Sequence, residues 1–238
     1  MNTRYPGISL RRWLAPALSV AFLAACDGGP EAKPDGGRRA LEQRSEGRLE
    51  ALRVQVDVAR NRLWALHRDG VYVYEITTRR LVGRVALPEW IIVGEPFNCA
   101  PDLALDPSGA AVVSSNAGTV LWRLDPERFE VRRGELALDA DRDKNVGFTG
   151  LAFADGLLLG VDGIHGSLWK IDLAEAKAEK IALSSSLRGA CGLALRRGAA
   201  QAAPGPSLAL CAFGETRIRR IDVSSDYKRG NVSDGPCA

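Results

Sequence analysis

The chain has 238 residues, 46% of them hydrophobic and 26% charged, which is enough for one packed domain flanked by less apolar segments. Its 32 Lys+Arg stand against 29 Asp+Glu, a net charge of +3. The basic pairs Arg79-Arg80, Arg132-Arg133, Arg196-Arg197 and Arg219-Arg220 are scattered among acids. They read as solvated strand edges and turns, so nucleic acid, which needs a basic face, is excluded as a partner.

The first element is an address. Trp13 to Ala25 is an uncharged run of thirteen residues that follows Arg4, Arg11 and Arg12. A membrane-spanning helix takes roughly 20 apolar residues, so the run is too short to cross. A basic start, a short apolar stretch and small residues at its end describe a secretory signal peptide over residues 1–25. Leu23-Ala24-Ala25-Cys26 resembles the bacterial lipobox. The resemblance implies cleavage before Cys26 and lipid attachment to its thiol. Two or more acyl chains, such as palmitate, hold a protein on a membrane. The expectation is a bacterial envelope protein, anchored by lipid and facing the periplasm or the exterior. Asp27 resembles an enteric inner-membrane retention signal, and the choice of membrane stays open.

Residues 26–47 carry the modified Cys and a Gly-, Pro- and charge-rich stretch that reads as a flexible linker. Without the three Arg of the signal the charges balance. Residues 48–238 form the domain, and it repeats. GVYVYEIT (70–77), GTVLWRLD (118–125), GSLWKID (166–172) and TRIRRID (216–222) end alike, on Ile76, Leu124, Ile171 and Ile221, at spacings of 48, 47 and 50 residues. Two short apolar runs precede each segment. A fourth run follows in the first three units only, so the fourth unit lacks a convincing outer strand. Residues 40–52 are one source for it. Asp106-Pro107-Ser108-Gly109 and Asp155-Gly156 are turn signals. Four short strands recurring every 40 to 50 residues predict an all-β fold, a β-propeller of about four four-stranded blades. A small closed ring, an open arc and a ring completed by another chain all fit this count. Trp122, Trp169 and Tyr74 fall on matching third strands as blade packing.

PDLALDPSGAAVVSSNAGTVLWRLD and TGLAFADGLLLGVDGIHGSLWKID resemble the repeats of NHL-type and gluconolactonase-like propellers. The resemblance implies a ligand face built from the loops that enter each innermost strand and those that join the second strand to the third. It places His67, Arg68, Asp69, Trp90, Glu95, Asn98, Asn116, Asp139 to Asn145, Asp162, His165 and Glu215 on that face. A lactonase-like site would hold one divalent metal on hard oxygen ligands. Asn98 and Asp162 match two of its ligands. Thr149 stands where the second Asn belongs, and the opening Glu is missing. Asp139, Asp141, Asp143 and Asn145 alternate as in a Ca²⁺ loop, but Lys144 replaces its Gly and the closing Glu is absent. Ca²⁺ is the one cofactor these residues suggest; otherwise none is expected. His67 and His165 read as surface turn residues. Trp90, in the apolar connection LPEWIIVGEPFNC, is a candidate anchor for a partner.

Four cysteines remain after Cys26. An even number in an oxidising compartment suggests disulfides, with free thiols as the alternative. If the strands around Cys191 and Cys211 pair as a hairpin, these two are neighbours, leaving Cys99 for Cys237. No GxSxG, P-loop or HExxH occurs. The leading function is a binding or scaffold module for an envelope protein partner. The alternative is a metal-dependent lactonase- or esterase-like hydrolase.

Overall fold

The computed structural model describes residues 50–94, 99–196, 208–214 and 217–235, all within one compact unit, Arg48–Ala238. Cys26, Asn98, Cys237, Glu95, Glu215, the signal and the linker lie outside the described residues. Every described element is a strand. Blade 1 runs through β1 (Arg53–Asp57), β2 (Arg62–His67), β3 (Gly70–Glu75) and β4 (Leu81–Val85). Blade 2 comprises β5 (Leu103–Leu105), β6 (Ala111–Ser114), β7 (Val120–Leu124) and β8 (Val131–Glu135), followed by the short β9 (Ala137–Leu138). Blade 3 comprises β10 (Gly150–Ala154), β11 (Leu157–Asp162), β12 (Ser167–Asp172) and β13 (Lys177–Leu183). Blade 4 comprises β14 (Ala190–Leu195), β15 (Leu208–Gly214), β16 (Ile218–Val223) and β17 (Arg229–Asp234). Within each blade the strands pair antiparallel in chain order. The all-β, four-bladed propeller expected from the repeats is the fold observed.

Blade 4 is completed from its own C-terminal side. β17, RGNVSD, is too polar to read as a strand, yet it pairs with β16 from Arg219↔Asp234 to Val223↔Gly230. An outer strand needs few apolar contacts, and Val232 supplies one against the core. β17 also meets β13 in parallel through Ala182↔Arg229 and Leu183↔Gly230, so blades 3 and 4 share an outer edge. Glycine permits this, since a Cβ at Gly230 would lie 2.8 Å from a Leu183 methyl.

Three apolar clusters fill the spaces between successive blades. Trp64, Leu66, Val73, Trp122 and Leu124 pack blade 1 on blade 2. Leu121, Phe148, Leu158 and Trp169 pack blade 2 on blade 3. Leu159, Val161, Ile181, Leu210 and Ile221 pack blade 3 on blade 4. The two tryptophans expected in blade packing are fully buried, at 2% and 0% exposure. Strands buried on both faces explain runs such as Val120-Leu121-Trp122 that do not alternate. Val54, Val56 and Val58, on the other side of β1, are 49%, 53% and 82% exposed. Blades 1 and 4 therefore meet at the axis without a shared apolar cluster among the described residues.

The predicted turns form as expected. Asp106 Oδ1 accepts from Ser108 Oγ and Ala110 N, while Gly109 sits at φ +85°. Asp125 and Asp172, the last residues of two repeat segments, accept two backbone N–H groups each and close the turns to β8 and β13.

The disulfide is not the expected one. Cys191 is bonded to Cys99, Cα to Cα 4.9 Å. Cys191 sits in the register shift between Ala190 and Gly192, and the residue opposite Cys211 is Ala194. The hairpin forms, but its register places Cys191 three residues from Ala194, the partner of Cys211, at the end of the strand where Cys99 approaches. Cys211 is also disulfide-bonded. The Cys99–Cys191 link closes a loop with a sequence separation of 92. Loop-entropy reasoning gives such a link about 4–5 kcal/mol. Cys99→Ser should therefore lower stability by about that much in urea unfolding. Peptide mapping without reductant should recover the 99–191 pair, and a 191–211 pair would contradict the structure.

Candidate functional site

The loops entering β5, β10 and β14, and those joining the second strand to the third, gather at one end of the blades. At the centre lies an ion pair. Strand register aligns Asp102, Gly150 and Gly192 as the same position of three innermost strands, and Arg53 opens the fourth, β1. At that position stand one anion and two residues without side chains, and the Arg53 guanidinium reaches in beside the anion. Arg53 Nε lies 3.1 Å from Asp102 Oδ1. Arg53 Nη2 donates to Cys191 O at 2.6 Å, and Nη1 to Leu52 O at 2.8 Å. Asp102 accepts from Leu103 N at 2.8 Å and from Leu151 N at 2.7 Å. One ion pair thus touches all four blades. Gly150 is required beside it, since a Cβ there would lie 2.5 Å from Leu193 N. Burial pushes the Asp102 carboxyl up to about 6, against the pull of Arg53 and the two backbone donors.

Buried hydroxyl and amide groups fix the loops around this centre. Thr149 Oγ1 donates to Ala190 O at 2.7 Å and accepts from Gly163 N at 3.1 Å. Asn116 holds the connection between blades 1 and 2, donating to Val93 O and Cys99 O and accepting from Val93 N. Ser114 donates to Phe148 O. Trp90, the candidate anchor, is half-buried on the core of blades 1 and 2, and its indole N–H donates to Ser114 O at 3.0 Å. Trp122 donates likewise to Pro88 O.

A cavity of about 410 Å³ opens beside the disulfide, at the entrance to blade 4. Arg188, Arg217, Arg219, Ala212 and Gly214 line it together with Cys99 and Cys191. Its wall from Leu187 to Ala190 packs against the turn after β11. There Asp162, 1% exposed, accepts from Ile164 N and His165 N, and its Oδ2 lies 2.5 Å from His165 Nδ1. Arg188 Nε donates to Ile164 O at 3.0 Å, joining this turn to the cavity.

The other proposed ligands do not converge on this point. Asp141 is ion-paired with Lys144 and Lys180, which hold its carboxyl below the usual range, the Lys180 bond foremost. Asp139 accepts from Lys180 N. Asp143 and Asn145 are exposed in the same loop. Among the described residues no three His, Cys, Asp or Glu side chains come together as a metal site. The two histidines also differ from their reading as surface turns. His67 is buried at 7% exposure against Tyr72, and His165 is half-buried on Asp162.

Arg53 and Asp102 are absent from the residues singled out in the sequence, because their contact joins positions that the repeat does not align. Arg219 was assigned to a solvated edge, yet it lines the cavity, because its strand starts at the loop face.

No protein-family model matches the chain, and no curated protein matches it in sequence. Among solved structures the chain is similar to virginiamycin B lyase from Staphylococcus aureus, at TM-score 0.55 and 12% identity, covering 77% of this chain and 55% of that one. It is similar also to an auxiliary nutrient binding protein from Bacteroides thetaiotaomicron, at TM-score 0.53 and 12% identity, covering 78% and 42%. The chain spans about half the length of these two proteins. At such identity the likeness concerns the fold alone.

The axial pair makes stability depend on pH. The folded carboxyl of Asp102 lies above its unfolded value, so its ionisation opposes folding as pH rises from about 4 to about 6. Arg53 offsets that cost. Arg53→Met should lose about 3–5 kcal/mol at pH 8, where it strands a buried carboxylate. At pH 4.5 Asp102 folds protonated, and the loss should be much smaller. Urea unfolding at both values checks this; equal losses would contradict it.

Proposed function

We propose that this protein is a binding module of the bacterial cell envelope, anchored by lipid at Cys26 and meeting its partner through the loop face. The observation that carries the reading is the basic cavity at the axis. The packed blades fix it, and buried Thr149, Asn116 and Ser114 hold the loops around it. Binding groups on loops held by a rigid scaffold are the usual arrangement of recognition sites. The lipobox and the linker supply the anchor and the reach. The metal-dependent hydrolase reading is weaker, because Asp162, its best ligand, is already engaged by His165 and two backbone N–H groups.

Two measurements on the full chain expressed in a bacterium test this. Labelled palmitate should enter the wild type and not Cys26→Ser, which should move to the soluble fraction. A photo-crosslinking residue at Ser186 or His165 should capture an envelope component that the same residue at Lys177, on the far outer strand, does not. Labelling that is indifferent to Cys26, or equal capture from both faces, would contradict the proposal.

A further inference from the structure

We infer that the cavity beside the Cys99–Cys191 disulfide binds an oxyanion, the phosphate or carboxylate group of a small ligand, through Arg188, Arg217 and Arg219. This rests on the loop-face reading above and names the ligand class.

Arg53, Arg60, Arg84 and Arg123 each stand within 3.1 Å of a carboxylate. The arginines of the cavity do not. Arg188 donates Nε to a carbonyl, which leaves the outer edge of its guanidinium uncommitted among the described residues. Arg219 donates to Ser186 O, and the nearest carboxylate, that of Asp234, is 3.9 Å from its Nε and 80% exposed. Arg217 is exposed, and its guanidinium has no partner among the described residues. The described lining contains three cations and no acid.

Like charges gathered in one concavity raise its positive potential and draw anions to it. Guanidinium groups are planar forks that match the two oxygens of a carboxylate or phosphate. A volume of about 410 Å³ suits a small molecule or a single headgroup rather than a polymer. The disulfide fixes one side of the cavity, and the carbonyls of Ile164 and Ser186 hold Arg188 and Arg219 before the ligand arrives.

The oxyanion has two sources, a free small anion or the headgroup of an anionic phospholipid. The test uses the full chain with Cys26→Ser, so that its own lipid does not bind vesicles. Calorimetric titration with inorganic phosphate and with citrate should show saturable binding. Arg217→Gln, at an exposed site, should weaken it at least tenfold, while Arg133→Gln, outside the cavity, should leave it unchanged. Flotation with vesicles containing phosphatidylglycerol, against phosphatidylcholine alone, covers the second source. Capture that needs phosphatidylglycerol, is lost in Arg217→Gln and is displaced by phosphate assigns the headgroup. Soluble binding without flotation assigns a free anion. Both support the site. Absence of all three kinds of binding, or binding equal in wild type and Arg217→Gln, overturns it. Loop-face crosslinks that persist in that event would leave the binding-module reading standing.

Discussion

The fold turns on the contact between Arg53 and Asp102. Arg53 comes from blade 1, Asp102 from blade 2, the second backbone donor from blade 3 and the carbonyl under Arg53 from blade 4. Each blade carries its own strand ladder, but position about the axis is set here. A buried ion pair is stabilising only when its remaining hydrogen-bonding capacity is met. Both partners meet that condition, with two backbone N–H groups on the acid and three carbonyls on the base. Gly150 lets blade 3 approach the backbone of blade 4 closely beside the pair. The Cys99–Cys191 disulfide then fastens the entrance of blade 2 to the innermost strand of blade 4 at the same level.

Much of this fold was legible because repetition is a strong signal. Recurrence at 47 to 50 residues located all four blades, and Asp and Gly placed the turns. Two features were hidden. β17 escaped notice because an outermost strand is stabilised by its ladder, and a polar segment such as RGNVSD serves as well as an apolar one. The disulfide was misassigned because the register of the hairpin sets Ala194, not Cys191, opposite Cys211. Hydrophobic pattern locates two strands without reporting their register.

The site was less legible than the fold. Resemblance directed attention to acids and amides, whereas the groups gathered beside the axis are arginines. A charge's place on a strand edge says nothing of which end of the blade it occupies. His67 and His165 show the same limit in reverse, since one ends a strand and the other sits in a turn, and each is covered by neighbours from its own hairpin. Fold likeness to two functionally different proteins adds no activity. The functional reading therefore stands on the cavity, the charge gathered in it and the anchor expected at Cys26.

A double-mutant cycle on the axial pair tests the central claim most directly. Arg53→Met, Asp102→Leu and the double variant would be compared with the wild type by urea unfolding at pH 8. If the two charges hold the blades as a unit, the double variant should recover most of the stability lost by Arg53→Met alone, with a coupling of about 2 kcal/mol or more. Losses that simply add would mean that the two residues act independently, and the axial account would fall.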